Sequence, residues 1–154
     1  MEITQLNLNP EQINNEKVNN LYNQIKELIV KLHDKNLPSE TVLFINQQID
    51  AANSSILKDS QLRKFLKDKQ NTIIKKLEAD HKIVPKNYYR NLWIALGMSA
   101  FGLPLGLLLG LSLGNIGLMA IGLPIGLAIG AGVGSSMDKK AQQEGRQLDM
   151  ELKF

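Results

Sequence analysis

The chain has 154 residues, a formal net charge of +3 and no cysteine. That length suits one ordinary domain, or a small domain joined to a membrane segment. The absence of cysteine excludes disulfides and thiolate metal sites and fits a reducing compartment.

The charges are sharply segregated. Residues 91–137 contain no Asp, Glu, Lys, Arg or His, and they hold eleven of the twelve glycines. Residues 1–57 carry four lysines against seven acids, residues 58–90 carry ten basic residues against four acids, and the tail 138–154 balances at four and four. The sequence therefore divides into a polar part (1–84), a juxtamembrane linker (85–91), an apolar middle (92–137) and a polar tail (138–154). The opening MEITQLNLNP has neither a basic n-region nor an apolar h-region, which predicts no cleavable signal peptide.

In the polar part, Asn9-Pro10-Glu11 reads as a helix start, with a capping side chain, proline in the first turn and an early acid. Val18, Leu21, Ile25, Leu28 and Leu32 then recur at alternating spacings of three and four, a stripe like that of a coiled coil. This predicts a first helix of about 25 residues, stopped by Lys35-Asn36-Leu37-Pro38. Ser39 opens a second of about 15 residues, with Val42, Ile45, Ile49 and Ala52 on one face. Asp59 or Ser60 opens a third of about 23 residues, with Leu62, Phe65, Leu66, Ile73 and Leu77 inward, ending near His81. Three such stripes bury one another in a small bundle or present a groove to a partner helix.

The third helix is strongly basic: Lys58, Arg63, Lys64, Lys67, Lys69, Lys75, Lys76 and Lys82. A solvated face with modest pairs such as Glu78–Lys82 accounts for it first, and attraction to anionic headgroups second. Nucleic acid comes last, since no aromatic platform or known motif interleaves the charges. His33 and His81 have no carboxylate at metal spacing and read as surface residues. No nucleotide, zincin or nucleophile motif occurs. Catalytic, cofactor and metal sites are therefore expected to be none.

The apolar middle is too long for one crossing. Forty-seven residues would extend about 70 Å as a helix, against a hydrocarbon core of about 30 Å. Gly114-Asn115 is the turn signal near its centre, so two spans are expected, about 92–113 and 116–137. Lys82, Lys86 and Arg90 precede the first, and Lys139 and Lys140 follow the second, while the turn is uncharged. By the positive-inside rule both termini face the cytoplasm. Tyr88, Tyr89, Arg90, Trp93, Lys139 and Lys140 are expected as interface anchors. Period-two alternation such as Leu103, Leu105, Leu107 also suits strands, but an open two-stranded hairpin would leave unpaired backbone in lipid.

Two phrases repeat at an offset of twenty residues, FGLPLGLLLGLSLG and IGLPIGLAIGAGVG. Gly102, Gly106, Gly110 and Gly114 form one row, and Gly122, Gly126, Gly130 and Gly134 another. In water each helix-interior glycine costs about 1 kcal/mol against alanine; in lipid such rows let backbones approach closely. They can pack the hairpin against itself or pack copies into a homo-oligomer. Pro104 and Pro124 lie at matched depth and are expected to kink their helices, freeing the carbonyls of Ala100 and Ala120.

The tail begins with Asp138 as a cap and ends QLDMELKF, alternating Leu148, Met150, Leu152 and Phe154. It reads as a short strand that could pair with the similarly patterned MEITQLNL.

VPKNYYRNLWIALGMSAFGLPLG, GIGLPIGLAIG and MDKKAQQEGRQLD together resemble a group of small bacterial glycine-zipper membrane proteins, over residues 84–149. The resemblance implies paired zipper helices in a bacterial inner membrane and brings no established activity. The expectation is an all-α protein: an N-terminal amphipathic helical bundle, then a two-helix transmembrane hairpin with glycine zippers. It would be a non-enzymatic membrane anchor that self-assembles and presents its helical domain to a cytoplasmic protein partner. The alternative is a pore-forming or permeabilising oligomer, of toxin-like or holin-like kind. Within the first span only Ser99 and Ser112 are polar, so a pore would have little polar lining there.

Overall fold

The computed structural model of the protein describes residues 2–152. It is mostly helical. The helices are α1 (Glu16–His33), α2 (Ser39–Asn53) and α3 (Asp59–His81), then α4 (Tyr88–Ser112) and α5 (Ile116–Gln143). Two short strands, β1 (Val84–Lys86) and β2 (Gln147–Glu151), pair in a two-stranded sheet. The chain forms two compact units, Met1–Val84 with Leu148–Phe154, and Pro85–Gln147.

In the first unit α3 packs against both α1 and α2. The apolar stripes do this: Val18, Leu21, Ile25, Leu28 and Leu32 of α1, Val42, Ile45, Ile49 and Ala52 of α2, and Leu62, Leu66, Ile73 and Leu77 of α3 are all buried. Phe65 is only half-buried and lies under the Lys69 ammonium, 5.1 Å from its ring centre. Ile74 and the Gln70 side chain are buried on that helix instead.

The first helix is shorter than its start signal predicts. Asn9-Pro10 opens a 3-10 turn, Pro10–Gln12, and α1 itself has 18 residues with Asn15 as its cap. The reason is Gln12. Its Oε1 accepts from the Asn9 N–H at 3.1 Å, and its Nε2 donates to the carbonyls of Ser55 and Leu57, both at 2.9 Å. Those bonds hold the turn against the connection between α2 and α3 and break continuity with α1.

The N-terminal segment is extended, as its alternation suggests, but among the described residues it pairs with no strand. It lies along α2 as a strap with Ile3, Leu6 and Leu8 buried. Asn46 Oδ1 accepts from the Thr4 N–H at 2.8 Å, and its Nδ2 donates to the Glu2 carbonyl at 3.0 Å. Asn53 repeats the pattern three residues along the strap, accepting from the Asn7 N–H at 2.7 Å and donating to the Gln5 carbonyl at 3.0 Å. The repeats match in length. Seven helical residues rise about 10.5 Å, and three extended residues span about 10 Å. The tail strand pairs with β1 instead, with Leu148, Met150 and Leu152 buried; Phe154 lies outside the described residues.

The second unit is the antiparallel pair α4 and α5. The connection falls at the predicted place: Gly114 takes φ +62, a conformation that favours glycine, and the Asn115 side chain accepts from the Gly117 N–H at 3.0 Å. Both helices outrun the predicted spans. α4 begins at Tyr88, inside the expected linker, and α5 runs to Gln143, so the first residues of the expected tail are helical. Both are long and apolar enough to cross a membrane.

Candidate functional site

The glycine rows meet along a seam within one chain. An added Cβ at Gly122 would lie 2.5 Å from the Gly106 Cα, at Gly126 2.5 Å from the Gly97 carbonyl oxygen, at Gly130 2.7 Å from the Trp93 carbonyl carbon, and at Gly134 2.5 Å from the Arg90 Cα. At Gly102 it would lie 3.1 Å from the Gly122 carbonyl oxygen. The obstructing atoms are backbone, so the helices approach this closely only because side chains are missing from the seam. Gly110 faces the Met119 side chain, and Gly114 serves the turn with nothing within 4 Å of its open side.

Gly97 belongs to the seam although it breaks the four-residue spacing. The cause lies in a π-type turn over Met98–Gly102, where the Leu103 N–H reaches back to the Met98 carbonyl. That wider turn carries one extra residue, so the row steps five from Gly102 to Gly97 and then stays on the same face. Pro104 lies two residues past the end of this turn. It has no N–H to give the Ala100 carbonyl, and the π turn is where the helix adapts to that loss. Pro124 is different: it sits inside continuous α-helix.

With the glycines inside, the large side chains point away from the seam. Leu103, Leu107, Leu108, Leu111, Ile121, Leu127 and Ile129 are all exposed, and Leu111 is 72% accessible. Ser99, on the exposed side, turns its hydroxyl back to the carbonyls of Ala95 and Leu96 at 3.0 and 3.1 Å.

The charged end of the hairpin is closed by Asp138. It lies within α5, not at the start of a tail helix, and is buried with 7% accessibility. Its Oδ1 accepts from the Tyr89 N–H at 3.1 Å and its Oδ2 from the Arg90 N–H at 2.9 Å. Asn87, the residue before α4, sits at φ 59 and makes no side-chain cap bond. The carboxylate thus caps α4 from the neighbouring helix, where the helix dipole favours negative charge. Of the expected anchors, Tyr89 is buried and stacks edge-on with Tyr88, ring centres 5.3 Å apart. Trp93 is half-buried, and Arg90, Lys139 and Lys140 are exposed.

Several basic residues of α3 and its C-terminal end find partners within the first unit. Lys76 meets Asp80 at 2.8 Å, Lys82 meets Glu78 at 3.3 Å and Lys69 donates to Gln48 at 3.1 Å. The Lys76 hydrogen bond holds the Asp80 carboxyl below its ordinary value, and the same bond raises Lys76. His81 is half-buried, with its Nε2 2.8 Å from the Thr41 hydroxyl. Among the described residues no group of three His, Asp or Glu side chains could hold a metal ion.

No family model, curated protein or solved structure matches the chain. The resemblance over residues 84–149 rests on the residues alone.

Proposed function

We infer that this is a non-enzymatic, membrane-anchored interaction protein whose α4–α5 hairpin spans the bilayer and whose helical unit serves a cytoplasmic protein partner. One observation carries the anchoring: the hairpin buries its glycines and exposes its leucines and isoleucines. In water that arrangement leaves a large apolar patch unburied. In lipid it is favourable, because the close backbone seam supplies the packing and the side chains meet acyl chains.

The glycine zippers act inside the hairpin on this reading. The same-chain contacts favour an internal seam over one between copies, since two copies would have to exchange hairpin partners to share these rows. Lys86, Arg90, Lys139 and Lys140 gather at the open end and the turn is uncharged, which supports a cytoplasmic location for both termini. The resemblance supports a bacterial inner membrane. The pore reading has less behind it, because the hairpin's inner surface is glycine backbone and Ser99 is satisfied within its own helix.

The test is extraction of native membranes at alkaline pH, for the wild type and for Leu108→Glu/Ile125→Glu. The reading expects the wild type to stay in the membrane pellet and the double variant to shift to the soluble or aggregated fractions. A wild type released by alkali would overturn it.

A further inference from the structure

We propose that the cavity at the open end of the hairpin binds the headgroup of an anionic, hydroxyl-bearing phospholipid of the phosphatidylglycerol kind. The proposal rests on the membrane reading above and names the lipid chemistry that this end of the hairpin selects.

The cavity lies within the second unit and has a volume of about 320 Å³. Lys86, just before α4, and Lys139, late in α5, both line it, and both are exposed. Two ammonium groups from separate elements around one cavity suit a single phosphate, which lysine binds as a point charge. Much of the remaining wall is neutral and hydrogen-bonding: Asn87, Ser135, Gln142 and Gln147. Each of these side chains offers both a donor and an acceptor, which suits hydroxyl groups beyond the phosphate. Gln147 is held at the wall by its bond to the Asp138 carbonyl at 3.4 Å. Asp138 completes the wall, but both its carboxylate oxygens accept backbone N–H groups of α4, whose helix dipole offsets the charge. A choline headgroup carries no hydroxyl and is recognised by aromatic cages. Among the described residues no aromatic side chain lines this cavity.

The cavity also lies at the depth of the headgroups. Charged residues begin at Arg90 on α4 and at Asp138 on α5. From Arg90 to the turn at Gly114 the helix extends about 36 Å, which covers a hydrocarbon core of about 30 Å. From Asp138 to Gln142 α5 rises about 6 Å further. A bilayer of about 40–45 Å leaves about 5–7 Å for headgroups on each side, so the cavity wall occupies that layer. The phosphates there are those of lipids, and the occupant is a headgroup rather than a soluble anion. Arg90 and Lys140 are exposed at the same end without lining the cavity. They add a general attraction for anionic headgroups, from which the site itself must be told apart.

The experiment places the full chain in discs of equal phosphatidylglycerol and phosphatidylcholine, releases it gently and weighs it with its retained lipid by native mass spectrometry. The proposal expects one phosphatidylglycerol kept per chain in preference to phosphatidylcholine. Lys86→Gln/Lys139→Gln should lower that preference by about tenfold or more, since each basic residue near a headgroup contributes roughly a factor of five. Lys86→Arg/Lys139→Arg should restore it. Arg90→Gln/Lys140→Gln removes the same charge from the same end and should lower the preference far less. An equal loss in the two glutamine pairs overturns the proposal, because general attraction then accounts for the preference. A wild type that keeps neither lipid in preference overturns it too. So does displacement of the lipid by inorganic phosphate at the same concentration, since the occupant is then a soluble anion. Every variant keeps the apolar exterior, so alkali extraction reports on the anchor separately. A chain that stays in the pellet yet shows no lipid preference loses the site and keeps the anchor.

Discussion

Asp138 and Arg90 are 48 positions apart in the chain, and the carboxylate of one accepts the backbone N–H of the other at 2.9 Å. With the Tyr89 bond at 3.1 Å it forms a helix cap supplied by a second helix, and so latches the open end of the hairpin.

That latch predicts a graded pair of variants. Asp138→Ala leaves two N–H groups of α4 without their acceptor and should destabilise the hairpin by about 1–2 kcal/mol. Asp138→Asn keeps one acceptor and should cost less. Thermal unfolding in a mild detergent checks this, together with spin-label distances between the outer ends of α4 and α5. Identical unfolding of Asp138→Ala and wild type would remove the latch from the account.

The seam predicts opposite outcomes for two glycines ten residues apart on α5. A Cβ at Gly122 meets Gly106 backbone at 2.5 Å, whereas at Gly132 nothing lies within 4 Å. Gly122→Ala should therefore force the helices apart and cost about 1–3 kcal/mol, the usual range for overpacking. Gly132→Ala should be neutral or slightly stabilising through better helix propensity. Unfolding of both variants in the same detergent is the check, and equal behaviour would mean the seam does not form within the chain.

The Lys76–Asp80 pair predicts a pH response of known sign. Asp80 is held below its ordinary 3.8 by the Lys76 hydrogen bond, so the pair's contribution is present above that value and fades as pH falls through the lowered one. Lys76 is raised above 10.5 by the same bond, so its contribution is complete below that value and is lost as pH climbs through the raised one. Asp80 is exposed and Lys76 half-buried, and for such a surface pair the net effect on stability is small. Carboxyl NMR should find Asp80 titrating low, and Lys76→Met should return it to the ordinary range.

Features set by local chemistry were legible in the sequence. Periodic apolar residues placed the three N-terminal helices, and Gly114-Asn115 placed the turn, because each signal lies within a few residues of its effect. The strap and the latch were not legible for the opposite reason. Asn46 and Asn53 look like ordinary polar residues on a helix, and only contact with residues more than forty positions away gives them a task. Asp138 looks like the cap of its own helix and caps another. The Asn9-Pro10 signal was locally correct, yet Gln12 bonds to a distant connection and confines it to a single turn. Gly97 lies outside a row of fixed four-residue spacing, so the sequence pattern alone does not assign it to the seam. Pro104, seven residues after Gly97 and two after Gly102, is the available hint that the helix widens there.

The central claim is that the leucine-rich outside of the hairpin faces lipid. The chain has no cysteine, so single spin labels can be placed at Leu108, Leu111 and Ile125 without background. In liposomes, oxygen and a water-soluble nickel chelate then compete as relaxants. The account predicts strong relaxation by oxygen and almost none by the chelate at all three sites. Ready relaxation by the chelate, at the level of a label on exposed Lys75, would contradict it.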